Sequence, residues 1–187
     1  MHRVSVDRVC AGLFAAEGGK ALERVLESTK FRIMDDTRDP DVRTVSQAME
    51  NAYRSGNRIR QMPQSTCEIS GSDGGGHVPT AMVRFTASSK RDDFLSGNDR
   101  GVRVSTRERK IVYLEYDCVS PRVGSTQDIP LRIRLLFQDR WQASKGDPTL
   151  RPDYLTATHS AALAVAKELR CVDDGGLPAR AEDLPAG

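Results

Sequence analysis

Aromatic side chains make up only 5% of this chain, with a single tryptophan, and there are only three histidines. No apolar run approaches the roughly 18 residues that a membrane-spanning helix needs. None of the 187 residues is therefore expected to cross a bilayer. The four cysteines stand at 10, 67, 118 and 171, with 56, 50 and 52 residues between successive ones. That is far from the CxxC or CxxH spacing of zinc sites, so no metal ligand set is assigned. Neither GxxxxGK[ST] nor GxGxxG occurs, which removes the standard phosphate and dinucleotide loops. No cofactor is assigned.

Charge of one sign is also lacking. The chain has 28 basic and 26 acidic residues, a net +2, which gives no strong general attraction to polynucleotides or acidic membranes. Nucleic acid is accordingly not an expected partner. Basic residues do gather at Arg100, Arg103, Arg107, Arg109 and Lys110, diluted by Asp92, Asp93, Asp99 and Glu108. With Arg132 and Arg134 they define one alternative function, an anion- or nucleic-acid-binding surface. A solvated strand edge is the simpler account of the same residues.

The hydrophobic pattern changes period along the chain. Ser5 can cap a helix carrying Val6, Val9, Cys10, Leu13 and Phe14, which Gly18-Gly19 is expected to break. A second helix carries Ala21, Leu22, Val25 and Leu26, and Phe31 to Met34 suits a short strand. Pro40 opens a helix with Val42, Val45, Met49, Ala52 and Tyr53 on its apolar stripe, ended by Gly56. Alternation then predicts strands near 64–70, 81–85, 102–104, 111–118 and 131–137. In the last, Arg132 and Arg134 alternate with Leu131, Ile133, Leu135 and Phe137, the pattern of a half-solvated antiparallel strand. Pro152-Asp153 opens the best helix, about 153 to 170, with Leu155, Thr158, Ala162, Val165 and Leu169 as its inner stripe. Asp173-Asp174-Gly175-Gly176 should stop structure. The expectation is one α+β domain over 1–172, an antiparallel sheet of four to five strands with N- and C-terminal helices packed on it, followed by a flexible tail over 173–187.

No catalytic residue is assigned. His2 is terminal. His77 closes the glycine-rich loop near Asp73, and a solvated loop histidine is the plain account of it. His159 precedes Ser160 in the last helix, where neighbours point apart, and Asp153 shares its face poorly. A small secreted hydrolase using His77 or His159 is the catalytic alternative. Trp141 beside Arg140 suits a single aromatic anchor.

An even cysteine count is compatible with an oxidising compartment. Cys10 and Cys171 fall in apparent helices, Cys67 and Cys118 in apparent strands. Placement favours Cys10–Cys171 with Cys67–Cys118, which would tie the chain ends and staple two strands. The rival is Cys10–Cys67 with Cys118–Cys171. No free thiol is expected.

Four segments resemble a known group. Val9-Cys10-Ala11-Gly12-Leu13, Cys67-Glu68-Ile69, the strand Val112 to Pro121, and Ala161 to Pro178 with its Ala-Lys-Glu-Leu-Arg-Cys and Gly-Gly-Leu-Pro are similar to the extracytoplasmic domains of small uncharacterised exported or membrane-anchored proteins of streptomycetes and related actinobacteria. A looser likeness is to mycobacterial extracellular sensor domains, disulfide-bonded α+β modules with a cleft. The resemblance implies two disulfides, a signal peptide or membrane anchor outside these residues, and an extracellular or cell-surface location. It carries no assigned activity, so no site residue is transferred. The expected function is a noncatalytic extracytoplasmic binding or sensing module for an unknown ligand or protein, with membrane contact only through that outside segment.

Overall fold

The computed structural model describes residues 3–14, 16–33, 40–56, 66–72, 78–88, 101–140 and 147–186. His77, Asp73, Asp92, Asp93, Asp99, Arg100 and Trp141 lie outside the described residues. The ten main elements, in chain order, are β1 (Arg3–Val4), α1 (Glu17–Val25), β2 (Phe31–Ile33), α2 (Val42–Arg54), β3 (Thr66–Gly71), β4 (Thr80–Ser88), β5 (Arg103–Arg107), β6 (Ile111–Cys118), β7 (Leu131–Asp139) and α3 (Arg151–Glu168). All strand pairs are antiparallel, in the order β1-β2-β3-β4-β7-β6-β5. The class is α+β as expected. Among the described residues the sheet has seven strands rather than four or five, because β1 and β2 extend it beyond β3.

Alternation places one face of the sheet in the core. Val112, Leu114, Tyr116 and Cys118 of β6 are buried, as are Leu131, Ile133, Leu135 and Phe137 of β7 and Ala81, Val83, Phe85 and Ala87 of β4. α3 covers this face with small residues, Ala157, Ala161, Ala162, Val165 and Ala166, which let helix and sheet approach closely. Tyr154 stacks at 5.7 Å from Phe137 and donates to Asp139 at 2.7 Å. Tyr116, fully buried, donates to the Ala162 carbonyl at 3.2 Å, and burial pushes its phenol far above its ordinary pKa. α2 starts where the Asp41 carboxylate accepts from the Thr44 N–H at 2.6 Å and packs against β4 and α3.

The first expected helix is absent. Residues 6–8 make one 3-10 turn, the Ser5 hydroxyl caps nothing, and Cys10 and Gly12 take positive φ of 46° and 84°. Val9, Cys10, Leu13 and Phe14 are buried all the same, so their apolar spacing records burial and not helix. Gly18-Gly19 does not break a helix but forms the first turn of α1. A Cβ at Gly18 would stand 2.2 Å from the Ser160 Cβ, so the absent side chain is what lets α1 cross α3 here.

The cysteines pair as Cys10–Cys67 and Cys118–Cys171, with Cα–Cα distances of 6.1 and 5.0 Å, and none is free. The favoured pairing is overturned, and sheet order gives the reason. β4 and β7 stand between β3 and β6. Three inter-strand steps are about 14 Å, beyond the roughly 7 Å Cα limit of a disulfide. Each bridge instead joins a strand to a non-strand segment. Cys171 arrives beside β6 because α3 ends on Arg170 at φ 57°, with the Cys171 N–H returned to the Ala166 carbonyl at 2.9 Å.

Candidate functional site

The chain approaches α3 through a cap and a turn. Asp147 accepts from the Thr149 N–H at 2.9 Å, and a 3-10 turn at Pro148–Leu150 runs straight into Arg151-Pro152. Proline early in a helix lacks an N–H that would have no partner there anyway. Beyond this start α3 carries apolar residues on more than its sheet side. Leu155 and Leu163 are half-buried and point away from the residues that touch the sheet. Leu155 therefore leaves the inner stripe assigned to it, and Tyr154, Ala157 and Ala161 take that place. A helix that is apolar on several sides requires cover on several sides.

That second face is the floor of an open groove of about 980 Å³. Two rows of residues four apart form the floor: Arg151, Leu155, His159, Leu163 and Lys167 in one, and Pro152, Thr156, Ser160 and Ala164 in the other. The start of α1, from Ala16 to Gly18, and Arg24 form one wall. Residues Ala179 to Glu182 form the other. Arg151 and Lys167 stand at the two ends, about 24 Å apart along the helix axis.

Both walls are fixed to α3. Arg24 donates from Nε and Nη2 to Asp153 Oδ1 at 2.9 and 2.6 Å. The Asp153 carboxylate holds the Arg24 guanidinium above its ordinary pKa, against the opposing effect of burial. On the other side, residues beyond Cys171, for which composition suggests a loose tail, follow a defined path over α3. The Val172 N–H donates to the Val119 carbonyl at 2.8 Å, and residues 173–176 all take positive φ. At Gly175 a Cβ would stand 2.7 Å from the Tyr116 ring. His159, 5% exposed, then holds Pro178: its Nε2 lies 2.7 Å from the Pro178 carbonyl. A carbonyl only accepts, so Nε2 carries the proton and donates. Arg180 pairs with Glu182 at 2.7 Å and with Asp183 at 3.2 Å, rounding off the wall.

Of the catalytic alternative, His77 lies outside the described residues, and the described residues around His159 do not converge. His159 Nε2 is engaged by a backbone carbonyl. Ser160 Oγ donates to the Leu13 carbonyl at 3.3 Å inside the α1–α3 crossing, and Asp153 is held by Arg24. Among the described residues no group of three or more His, Cys, Asp or Glu side chains is placed to hold a metal ion.

Among the described residues the basic set is dispersed as well. On the opposite sheet face Arg132 faces Asp117 and Arg134 faces Glu115 as direct cross-strand neighbours. Arg132 Nε lies 2.9 Å from Asp117, and Arg134 is paired with Glu115, so the arginines of β7 are neutralised in place. Arg107 and Arg134 sit 5.7 and 5.9 Å from the Tyr113 ring centre. Arg109 and Lys110 lie in the turn between β5 and β6.

The groove was not found from sequence, although one signal existed. The four-residue repeat from Arg151 to Lys167 runs beside the sheet-facing stripe, and a single inner stripe absorbed its first leucine. Comparisons with protein-family profiles, curated proteins and solved structures return no match to this chain. The two disulfides fit an oxidising, non-cytoplasmic location.

Proposed function

We propose that this chain is a noncatalytic extracytoplasmic binding or sensing module, secreted or held at the cell surface by a membrane anchor, and that the α3 groove is its ligand site. The observation that carries this reading is the groove itself: an apolar floor on a helix whose other side already packs on the sheet, between two walls tied down by Arg24 and His159. Its volume of about 980 Å³ is at the upper end of the range of ligand sites. The two disulfides and the likeness of the cysteine segments to actinobacterial extracytoplasmic domains support the location.

The test uses the oxidised protein and the fluorescent anion 1-anilinonaphthalene-8-sulfonate, which has an apolar body and one negative charge. Saturable binding to a single site is expected. Leu163→Asp should weaken it about tenfold without loss of the near-ultraviolet circular dichroism of the folded chain. Absence of saturable binding, or binding indifferent to Leu163→Asp, removes the groove as a ligand site. Protein isolated from its own cells should show no free thiol under denaturing, non-reducing conditions. Four reduced thiols would overturn the location.

A further inference from the structure

We infer that residues 177–186 form a hinged clasp, which opens without the rest of the fold and closes over the occupant of the groove. The inference rests on the groove being a ligand site. Three observations carry it.

The first is how little joins this segment to the body. Among the described residues its backbone hydrogen bonds run within it or to the turn before it: the Leu177 N–H donates to the Asp174 carbonyl at 3.4 Å, Asp183 to Arg180 at 3.2 Å and Leu184 to Ala181 at 3.2 Å. The Arg180 guanidinium pairs with Glu182 and Asp183 of the same segment. The hydrogen bond that reaches another element is the one from His159 Nε2 to the Pro178 carbonyl. Leu177 is the segment's only buried residue, and Leu184 is half-buried. Folded chains make about one hydrogen bond per residue. Segments with few bonds and few buried apolar contacts open at a small part of the global unfolding free energy.

The second is the joint. Asp173, Asp174, Gly175 and Gly176 take φ of 49°, 50°, 72° and 76° in succession. Residues with a Cβ enter this left-handed region singly, because the Cβ crowds the following carbonyl. A run of four, two of them with side chains, is strained, and strained backbone gathers at switch segments. The root of the turn is fixed. Cys171 is bonded to Cys118, and the Val172 N–H donates to the Val119 carbonyl at 2.8 Å. A strained turn with a clamped root and a lightly held arm is a hinge.

The third is position. The arm supplies one wall of the groove, Ala179 to Glu182, and its latch, His159, stands on the floor between Leu155 and Leu163. A molecule seated over His159 touches floor and clasp together. It binds the closed form better than the open one, so its binding suppresses opening.

The experiment is limited tryptic proteolysis of the oxidised full chain, following release of residues 181–187 after Arg180 by mass spectrometry, in urea below the unfolding transition. Trypsin activity in each solution is normalised on a small peptide substrate. Cleavage that is slow relative to closing tracks the open population. Its rate is expected to be nearly flat in urea, because local opening exposes little surface, whereas global unfolding depends steeply on urea. Gly176→Ala adds a Cβ that meets nothing closer than Val102 at 3.8 Å, so it strains the backbone alone and should speed cleavage about fivefold. Asp174→Gly removes strain from the closed turn and should slow cleavage about threefold. Neither residue lines the groove. The naphthalene sulfonate dye, at about ten times its measured dissociation constant, should slow cleavage of the parent chain roughly tenfold.

A rate that climbs with urea as global unfolding does, or hinge variants that leave the rate unchanged, overturns the clasp. If the dye binds at Leu163 without slowing cleavage, the groove stands as a ligand site and the clasp falls. If the dye does not bind, both fall.

Discussion

Residue 18 shows how packing overrides local preference. In an exposed helix, Gly→Ala stabilises by about 1 kcal/mol. In α1 the added Cβ would meet Ser160 at 2.2 Å, and Ser160 lies on a helix packed from several sides. Gly18→Ala is therefore expected to destabilise the fold by about 1 to 3 kcal/mol, the usual cost of overpacking, read from urea unfolding. The opposite sign is expected at the tip of the β5–β6 hairpin. Glu108 and Arg109 take φ of 52° and 57°, and the Lys110 N–H donates to the Arg107 carbonyl at 3.2 Å. That is a turn with two successive left-handed residues inside the three-residue connection from Arg107 to Ile111, and glycine or asparagine is the unstrained choice at such positions. Arg109→Gly should raise stability by up to about 1 kcal/mol. At Asp41, burial pulls the carboxyl pKa up, but the Thr44 N–H and hydroxyl and the Arg43 charge outweigh it and leave it below the usual value. A depressed native pKa contributes stability above the unfolded value and loses it as pH falls through the folded one. Asp41→Ala should cost about 1 kcal/mol at neutral pH, and its gap from the parent should shrink below pH ~4. Asp41→Asn should keep the cap without that pH dependence.

Among the elements, β6 was the most legible, because its alternation is unbroken from Ile111 to Cys118 and one face of it is fully buried. α2 was legible for a different reason: a stripe of Val45, Met49 and Ala52 sits between Pro40 and Gly56 at φ 68°, although its cap, Asp41, was not read from the sequence. The segment from Ser5 to Phe14 was not, since buried turns and helices place apolar residues at similar spacing. Seeing that Leu155 points away from the sheet required knowing which side of α3 the sheet occupies. Beyond the left-handed turn, residues 177–186 are held over α3 by the His159–Pro178 bond and by Leu177 and Leu184 packed against the core. His159→Ala should release that segment and speed tryptic cleavage after Arg180, while the α3–sheet contacts persist. Unchanged cleavage would show that the left-handed turn at 173–176 suffices to hold it. Arg122 does comparable work on the connector before β7, reaching Glu50 at 3.0 Å and Glu168 at 2.9 Å.

For the whole molecule, the α+β class and the presence of two bridges were readable from pattern and count, but the pairing was not. It depends on β4 and β7 lying between the two cysteine strands, and strand order is a property of the assembled sheet. Each bridge closes a loop of more than fifty residues, with sequence separations of 57 and 53. In the chain-entropy account a loop of that size stabilises by about 4 kcal/mol. Replacing Cys118 and Cys171 together by alanine should cost about that much, and full reduction should cost more, both read from denaturant midpoints.

The crosslinks also do not interleave along the polypeptide: one lies wholly within residues 10–67 and the other wholly within 118–171. On the export proposed above, a chain emerging N-terminus first could thus lock its leading half before its trailing half had arrived. Joining the two ends, by contrast, would have had to await the last residues. Each crosslinked segment closes on itself, and the eight-rung seam between β4 and β7 joins the strands that follow the first to those that lead to the second.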